Sequence, residues 1–201
     1  APNFTRTFDA TPSLDVESEQ PRAAIRNPAD HADIVGHVQG ATALHIDSAF
    51  ARAADAQRAW NEAGGAARAR ILLMLADSLE NERSALIALL VREAGKTIGD
   101  ALAEVRETVD YCRYYAQLAL DQFAAPRVLT GPTGESNELS LHGRGVFVCI
   151  SPWNFPLAIF LGQITAALAA GNSVIAKPAG QTPLIGALAV ELAHAAGVPA
   201  D

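Results

Sequence analysis

Apolar residues recur every three or four positions between about residues 46 and 95, and this spacing predicts amphipathic helices. The first helix is predicted to take Asp47 or Ser48 as its N-cap and to end before the glycines at 64 and 65. A second helical run starts near residue 66, is broken by polar residues 80–83, and resumes until Gly95. The apolar positions at helical spacing are Ile46, Phe50, Ala53, Ala54, Trp60, Ile71, Leu75 and Leu79.

The clearest helical pattern runs from Ile98 to Phe123, and Pro126 follows its end. Its predicted inward stripe is Ile98, Leu102, Val105, Val109, Cys112, Ala116 and Phe123. Glu104, Arg106 and Asp110 are predicted to lie on the outer face. Cys112 falls on the apolar stripe, so it is interpreted as a core residue and not as a nucleophile.

The segments on either side of these helices have no sustained helical period. Residues 1–30 are polar and contain four prolines, which favours an extended arm with short strands around Ile25 and again at residues 34–38. Residues 126–145 are rich in Gly, Pro and Ser, with short β-like pieces at 127–130 and 138–142. This second segment is predicted to form a protruding hairpin.

From residue 145 the pattern changes to alternating strands and helices. The continuous apolar run at 145–150 predicts a parallel strand covered on both faces, and residues 157–170 predict a helix closed by Gly171. A second buried strand follows at 173–176. Thr182 is predicted to cap a last helix that has Pro183 at its first position and ends at Gly197. Strand, helix, strand and helix with short links predict a right-handed βαβ unit.

Composition narrows the class of protein. Half of the 201 residues are hydrophobic, 18% are charged, and the formal net charge is −7. No basic cluster could follow a phosphate backbone, so we expect no nucleic-acid contact by this segment. The apolar stretch at 156–170 is too short and too polar to cross a bilayer, and the N-terminus does not resemble a signal peptide.

The cysteines and histidines give no metal or disulfide signal. Cys112 and Cys149 are the two cysteines of the chain; they form no C-x-x-C pair, which favours a reducing cytoplasm. His31, His37 and His45 show no ligand spacing and are predicted to be surface residues. We therefore expect no metal site.

The candidate chemistry lies at the carboxyl ends of the two predicted parallel strands, where ligands bind in open sheets. The first strand ends in Ser151-Pro152-Trp153-Asn154-Phe155-Pro156, and the second in Lys177-Pro178-Ala179-Gly180. Each turn also has a purely structural interpretation: Asn154 as a helix cap beside a space-filling Trp153, and Lys177 as an exposed lysine. Lys177 and Lys96 are the two lysines of the chain. There is no G-x-G-x-x-G, P-loop or G-x-S-x-G motif, so cofactor phosphates would be held in another way.

The P-W-N-F-P turn, followed by A-L-A-A-G-N-S-V-I-A-K-P, resembles the signature of the aldehyde dehydrogenase superfamily. Upstream segments at 26–30, 50–60, 93–97, 104–105 and 114–116 are similar as well, so the resemblance runs from about residue 20 to the end. Residues 110–116 and 150–160 most resemble the glutamate-semialdehyde dehydrogenase module of bacterial proline utilization A proteins. Those are bifunctional flavoproteins that carry an FAD-dependent proline dehydrogenase barrel upstream, and the absence of an initial Met agrees with a piece of such a chain.

This resemblance implies an incomplete α/β aldehyde-dehydrogenase-like fold: a helical N-terminal part plus the first βαβα of a Rossmann-like NAD-binding domain. The implied division is an N-terminal arm at 1–30, a helical part of the NAD-binding domain at 31–125, and a hairpin at 126–144 that acts as an oligomerisation arm. The βαβα unit occupies 145–201, and the catalytic domain is absent. A cytoplasmic homo-oligomer is implied, with peripheral association of the parent at the inner membrane as an alternative.

The resemblance also implies a mechanism in which a Cys thiolate adds to the aldehyde, hydride passes to NAD, and water activated by a Glu hydrolyses the thioester. Asn154 matches the amide of the family's oxyanion hole. Cofactor contacts are implied for Ile150, Ser151, Pro152, Trp153, Asn154, Lys177, Ala179 and Gly180. Phe155 matches a wall of the aldehyde pocket and Glu107 an acidic substrate-pocket residue, whereas Lys96 matches a structural helix-end lysine.

Two departures from the family pattern limit these implications. The family has Glu where this chain has Gly180, which removes an acceptor for the adenosine ribose and leaves NAD or NADP open. The nucleophilic Cys and the general-base Glu are expected beyond Asp201, so the isolated chain is expected to be inactive and to bind nucleotide weakly. Two alternatives stay open: another semialdehyde or simple aldehyde as substrate, and a non-catalytic module that serves only in assembly.

Overall fold

A computed structural model describes residues 2–14 and 20–200 of the chain, and within them six α-helices and seven β-strands occur. The helices are α1 (Ala43–Glu62), α2 (Gly64–Asn81), α3 (Arg83–Ala94), α4 (Ile98–Phe123), α5 (Ala158–Ala169) and α6 (Pro183–Ala195). The strands are β1 (Phe8–Ala10), β2 (Ala23–Asn27), β3 (Asp30–Val38), β4 (Arg127–Leu129), β5 (Asn137–Leu139), β6 (Val146–Ile150) and β7 (Ser173–Lys177). A 3-10 turn at Pro2–Phe4 precedes them. The predicted helices and strands occur in the predicted order, and the structure adds one strand, β1, that the sequence did not predict.

Helix α1 begins earlier than the sequence predicts. Its N-cap is Thr42, and neither Asp47 nor Ser48 has that position. The Thr42 side chain accepts from the backbone N–H of His45, and the His45 ring pairs in return with the Thr42 backbone N–H. His45 is therefore buried, and the prediction that it lies on the surface is wrong because the ring serves as half of a capping box.

The exposed and buried faces of α4 differ from the prediction. Ile98 and Leu102 are exposed, while Glu104 is 1% exposed, although it was expected on the outer face. The buried positions are Ala101, Glu104, Val105, Thr108, Val109, Cys112, Ala116 and Ala119. They follow the spacing of one helical face, so the prediction failed because a charged residue was assumed to face solvent. The buried position of Cys112 is confirmed.

The boundary between α2 and α3 lies within the break that the sequence predicts at residues 80–83. Helix α2 ends at Asn81, α3 starts at Arg83, and Gly95 closes α3 in the left-handed conformation with φ of 68°. The glycine at 65 has a packing role, since a Cβ there would lie 2.3 Å from the carbonyl oxygen of Ala119. The absence of a side chain lets α2 approach the end of α4 closely.

The arm at the N-terminus contributes a three-stranded sheet in the order β1-β3-β2, with β1 parallel and β2 antiparallel to β3. The strands predicted around Ile25 and at 34–38 are confirmed, whereas β1 was not predicted. The part of the predicted arm at 15–19 lies outside the described residues. Arg92 of α3 fastens this sheet to the helices through a two-pronged ion pair with Asp33, at 2.6 and 3.0 Å.

Strands β4 and β5 form the predicted antiparallel hairpin, and their residues are mostly exposed. Strands β6 and β7 pair in parallel, with α5 between them in the chain, as predicted. Gly171 follows α5 with φ of 88°. Only Cys149 of β6 is fully buried, however, while Phe147, Val148 and Ile150 are exposed. The expectation that β6 is covered on both faces is therefore wrong for the described residues.

The carbonyl ends of α1 and α5 meet at a buried cation. The Arg68 guanidinium donates to the carbonyl oxygens of Asn61 at 2.8 Å and Ala169 at 3.1 Å. Trp60 Nε1 adds a hydrogen bond of 3.0 Å to the Leu168 carbonyl oxygen. These donors bind carbonyl groups in the last turns of α1 and α5, where the helix leaves carbonyl oxygens without a full set of partners. They anchor α5, the helix that joins β6 to β7.

Candidate functional site

The parallel pairing of β6 and β7 places the two candidate turns side by side. Ile150 stands opposite Lys177 in the register, and the Ser151 backbone N–H donates to the Lys177 carbonyl oxygen at 3.2 Å. The carboxyl ends of both strands therefore open on the same edge of the sheet. The two strand ends are therefore adjacent, as the sequence predicts, while a shared ligand crevice between the turns stays a prediction.

In the turn after β6, Trp153, Asn154 and Phe155 are exposed, Trp153 by 52%. Trp153 thus does not fill space in the core. Among the described residues the Asn154 carboxamide has no hydrogen-bond partner, and the N-cap position of α5 belongs to Leu157. The purely structural interpretation of this turn, with Asn154 as the cap, is therefore wrong. The amide is left free to donate into the crevice.

The N-terminus of α5 is capped from another helix. Glu104 Oε1 on α4 accepts from the backbone N–H groups of Leu157 at 2.9 Å and Ala158 at 3.1 Å. A carboxylate at this position satisfies two orphan donors and interacts favourably with the helix dipole. This contact joins the turn after β6 to α4.

Lys96 completes the arrangement around Glu104. Its Nζ lies 2.6 Å from Glu104 Oε2, and only 12% of the Lys96 side chain is exposed. The same ammonium lies 4.2 Å from the centre of the Phe155 ring, within the range of a cation–π interaction. Lys96 therefore contacts both the capping carboxylate and the turn that this carboxylate holds.

The turn after β7 is more open. Lys177 is exposed, and its Nζ donates to the Pro178 carbonyl oxygen at 3.1 Å. Ala179 is buried, whereas a Cβ built on Gly180 meets no atom within 4 Å. The crevice next to Gly180 thus has room for a side chain or a ligand group.

A second buried carboxylate caps the helix that follows β7. Glu93 on α3 accepts from the backbone N–H groups of Leu184 at 2.7 Å and Ile185 at 2.9 Å. Burial raises the pKa of Glu93 to about 8, and the two backbone hydrogen bonds offset this only in part. Thr182 occupies the N-cap position with Pro183 after it, as predicted, but its side chain makes no capping hydrogen bond. Glu93 has taken over that task.

Neither cysteine is placed or charged as a nucleophile. Both are buried, on α4 and β6. Burial raises the pKa of the Cys112 thiol to about 12 and also raises the pKa of Cys149. Both thiols therefore stay protonated and inert near neutral pH, as the sequence predicted for them.

Glu107 lies on the exposed side of α4, apart from the two turns. Its Oε1 accepts from the Tyr111 hydroxyl at 3.2 Å, which raises the pKa of Tyr111. It lines a shallow groove formed by Ala103, Arg106, Glu107, Asp110, Tyr111 and Tyr114. None of the residues 151–156 lines this groove, so the described contacts do not bring Glu107 to Phe155.

Three of the residues that organise the crevice were not predicted to do so: Glu93, Glu104 and Lys96. A signal existed for Glu104, because it lies three residues after Ala101 and four before Thr108, on the buried face of α4. No local sequence pattern predicts that Glu93 caps α6. Across the described ranges no group of three metal-ligating side chains gathers, and no helix is long and apolar enough to cross a membrane.

The aldehyde dehydrogenase family matches residues 16–201. The Bifunctional protein PutA of Escherichia coli K12 is 49% identical over 186 residues, which cover 90% of this chain and 13% of that protein. A crystal structure of a Bradyrhizobium japonicum proline utilization A mutant is 54% identical, with a TM-score of 0.78 over 79% of this chain and 16% of that one.

A crystal structure of the 1-pyrroline-5-carboxylate dehydrogenase from Thermus with bound NAD is 36% identical. Its TM-score of 0.88 extends over 96% of this chain and 38% of the Thermus chain. The chain thus spans a small part of the length of each of these relatives. The predicted fold and family resemblance are confirmed.

Proposed function

The chain belongs to the aldehyde dehydrogenase family, and on that premise we propose that it forms part of an enzyme that oxidises L-glutamate γ-semialdehyde to L-glutamate with NAD⁺. The observation that carries the proposal is the unpaired Asn154 carboxamide at the end of β6, beside the exposed Lys177 at the end of β7. The printed names of the similar proteins, PutA and 1-pyrroline-5-carboxylate dehydrogenase, support the substrate.

The residues of the crevice fit a dinucleotide. The Ser151 hydroxyl is buried without a hydrogen-bond partner, Lys177 is exposed beside it, and the space at Gly180 is open. In the proposed complex Lys177 holds the adenosine ribose hydroxyls. The other contacts come from Ile150, Ser151, Pro152, Trp153, Asn154, Ala179 and Gly180. When bound at these residues, NAD⁺ would supply the hydride acceptor for oxidation of the substrate carbon after the thiolate has added to it.

In the proposed mechanism Asn154 acts when a thiolate adds to the aldehyde carbon. The carbonyl oxygen gains negative charge in that step, and the Asn154 carboxamide donates a hydrogen bond to it. Because the amide is neutral and already oriented, it stabilises the transition state more than the ground state. Phe155 forms one wall of the proposed aldehyde pocket. The family resemblance also assigns Glu107 to the substrate pocket, although the groove that Glu107 lines on α4 includes none of the residues 151–156.

The thiolate and the general base are proposed to come from sequence beyond this segment. The burial and raised pKa of Cys112 and Cys149 support this, because neither thiol can ionise near neutral pH. The exposed apolar residues of β6 likewise support further elements of the parent protein that pack on the faces of this sheet.

The remaining organisation is proposed on the same basis. Residues 1–30 form an arm, 31–125 the helical part of the NAD-binding domain, 126–144 an oligomerisation hairpin and 145–201 the first βαβα. Exposed Val128, Leu129 and Leu139 on the hairpin support a contact with a second copy. The parent is proposed to be a cytoplasmic homo-oligomer that also carries an FAD-dependent proline dehydrogenase.

The test is turnover by the full-length protein with NAD⁺ and two aldehydes, glutamate semialdehyde and succinate semialdehyde. We expect glutamate semialdehyde to have the higher kcat/KM. A preference for succinate semialdehyde would support a different semialdehyde as the substrate. Lack of turnover of both aldehydes would support a non-catalytic module that serves in assembly.

The isolated 201-residue chain tests the proposal that this segment supplies cofactor and oxyanion contacts but neither the thiolate nor the general base. We expect it to show no dehydrogenase activity and only weak NAD⁺ binding by calorimetry. Turnover by this chain that is lost in Asn154→Ala but survives removal of Cys112 and Cys149 would contradict the thiolate mechanism.

A further inference from the structure

A buried ion pair joins Lys96, in the connection between α3 and α4, to Glu104 of α4. The proposed mechanism assigns no role to this pair. Lys96 follows the left-handed Gly95, and Glu104 lies about two turns into α4. The Glu104 side chain is 0% exposed and that of Lys96 is 12% exposed. Two charges are buried at this depth at considerable desolvation cost, which weakens the view that the pair is only a stability device.

The contacts of the pair converge on the turn after β6. Glu104 holds the N–H groups of Leu157 and Ala158, and Lys96 lies against the ring of Phe155. Asn154 is the residue before Phe155. The ion pair therefore contacts the chain immediately after Asn154, whose carboxamide is proposed to stabilise the oxyanion.

The other side of Asn154 is held as well. The Ser151 N–H is bonded to the Lys177 carbonyl oxygen, and Pro152 and Pro156 restrict the backbone on either side. Asn154 has no hydrogen bond of its own among the described residues, so the position of its backbone depends on these neighbours. The backbone contacts that hold the chain after Asn154 depend on Lys96 and Glu104.

We propose that Lys96 and Glu104 are positioning residues that hold the backbone at Asn154 and the ring of Phe155 in place for the proposed reaction. This inference rests on the proposed function, since it assigns the pair to the same oxyanion and aldehyde site. Glu104 supplies the hydrogen bonds. Lys96 pairs with the buried Glu104 carboxylate, and its ammonium group holds the Phe155 ring through a cation–π interaction.

The kinetic test uses Lys96→Met in the full-length protein. A small misplacement of a group that acts in the transition state lowers rate by about 100-fold, so we expect a loss of that order in kcat. The KM for NAD⁺ should change less than kcat, because Lys177 and most of the other proposed cofactor contacts do not depend on the ion pair. Lys96→Arg, which keeps the charge, should recover part of the loss.

A double variant separates positioning from a general loss of structure. If Lys96 acts through the turn, Lys96→Met should cost little further kcat once Asn154 has been replaced by Ala. Full additivity of the two losses would overturn the proposal. Arg58→Met is the matched control, since it removes an exposed ion pair with Glu62 on α1 and should leave kcat unchanged.

Amide hydrogen exchange gives a readout that does not need activity. In the full-length protein, Lys96→Met should speed exchange in peptides covering 151–160 and leave those covering 183–190 unchanged. Lys96→Met combined with Glu104→Gln removes both charges, so it avoids a lone buried carboxylate if the single variant folds poorly. This double variant should show the same local pattern.

The outcomes distinguish this proposal from the proposed function. If the wild-type protein oxidises neither aldehyde, the proposed function fails, while the exchange experiment still decides whether the pair holds the turn. Wild-type exchange at 151–160 in both variants would overturn the positioning role. So would a wild-type kcat in Lys96→Met when the wild-type protein is active.

Discussion

The turns after β6 and β7 are built alike but held with different electrostatics. In each, a carboxylate from the α3–α4 region caps the helix that follows the turn: Glu104 for α5 and Glu93 for α6. Glu104 has a cation at 2.6 Å in Lys96. Glu93 has two backbone N–H groups, and burial raises its pKa to about 8.

The difference matches the tasks proposed for the two turns. The turn after β6 carries Asn154, whose direction must be accurate when charge develops in the transition state, and it has the paired carboxylate. The turn after β7 carries Lys177 and the open position at Gly180, where a nucleotide is proposed to bind in ground and transition states alike.

The largest effect is expected at the turn after β6. In the full-length enzyme Asn154→Ala should lower kcat by roughly 100- to 1,000-fold, because it removes a donor to the developing oxyanion. The KM for NAD⁺ should change less than kcat, because Lys177 and the other proposed cofactor contacts are untouched. Steady-state kinetics with varied aldehyde and varied NAD⁺ measure both quantities.

Asn81→Ala, at the exposed end of α2, is the matched control for loss of a carboxamide and should keep the wild-type kcat. If Asn154→Ala raised the KM for NAD⁺ and left kcat intact, the proposed division between the two turns would be reversed.

A smaller effect is expected from Glu93, in the dependence of stability on pH. Its folded pKa of about 8 lies above the value of 4.5 for a free carboxyl. Between these values the unfolded chain has lost a proton that the folded chain keeps, so this group lowers the free energy of unfolding as pH rises. The slope is at most about 1.4 kcal/mol per pH unit.

Glu93→Gln should remove this contribution, so that the free energy of unfolding falls less between pH 5 and 8 than in the wild type. Urea unfolding of the chain, followed by the fluorescence of buried Trp60, measures it. Glu62→Gln, at an exposed carboxyl, should keep the wild-type slope. Identical slopes for wild type and Glu93→Gln would show that Glu93 is ionised across this range.

The smallest effect is a gain at the turn after β7. Gly180→Glu introduces the carboxylate that the family has there, into space where a Cβ meets no atom within 4 Å and φ is not positive. One hydrogen bond to the ribose is worth about 1 kcal/mol, so the Kd for NAD⁺ should fall about fivefold.

Calorimetry on the full-length protein measures this Kd. Gly180→Ala controls for the loss of glycine and should bind NAD⁺ like the wild type. If both variants weakened binding equally, the space at Gly180 would be needed by the ligand itself.

The sequence predicted the elements well because their signals are local. Periodicity, Gly95 and Gly171 mark the helices and their ends, and the apolar runs mark β6 and β7. The errors lie at polar side chains whose burial or bonding the apolar pattern does not show. The pattern places His45 at the surface, although it caps α1 together with Thr42. It places Glu104 on the outer face, and it makes Thr182 the cap that Glu93 provides.

By itself, then, the sequence determined the order of elements, the family, and the two strand-end turns that carry Asn154 and Lys177. Only the tertiary structure decided what holds those turns. Glu93 and Leu184 are 91 residues apart, and Glu104 and Leu157 are 53 apart. No local pattern records such a contact, because a buried carboxylate finds its partner through the packing of whole helices.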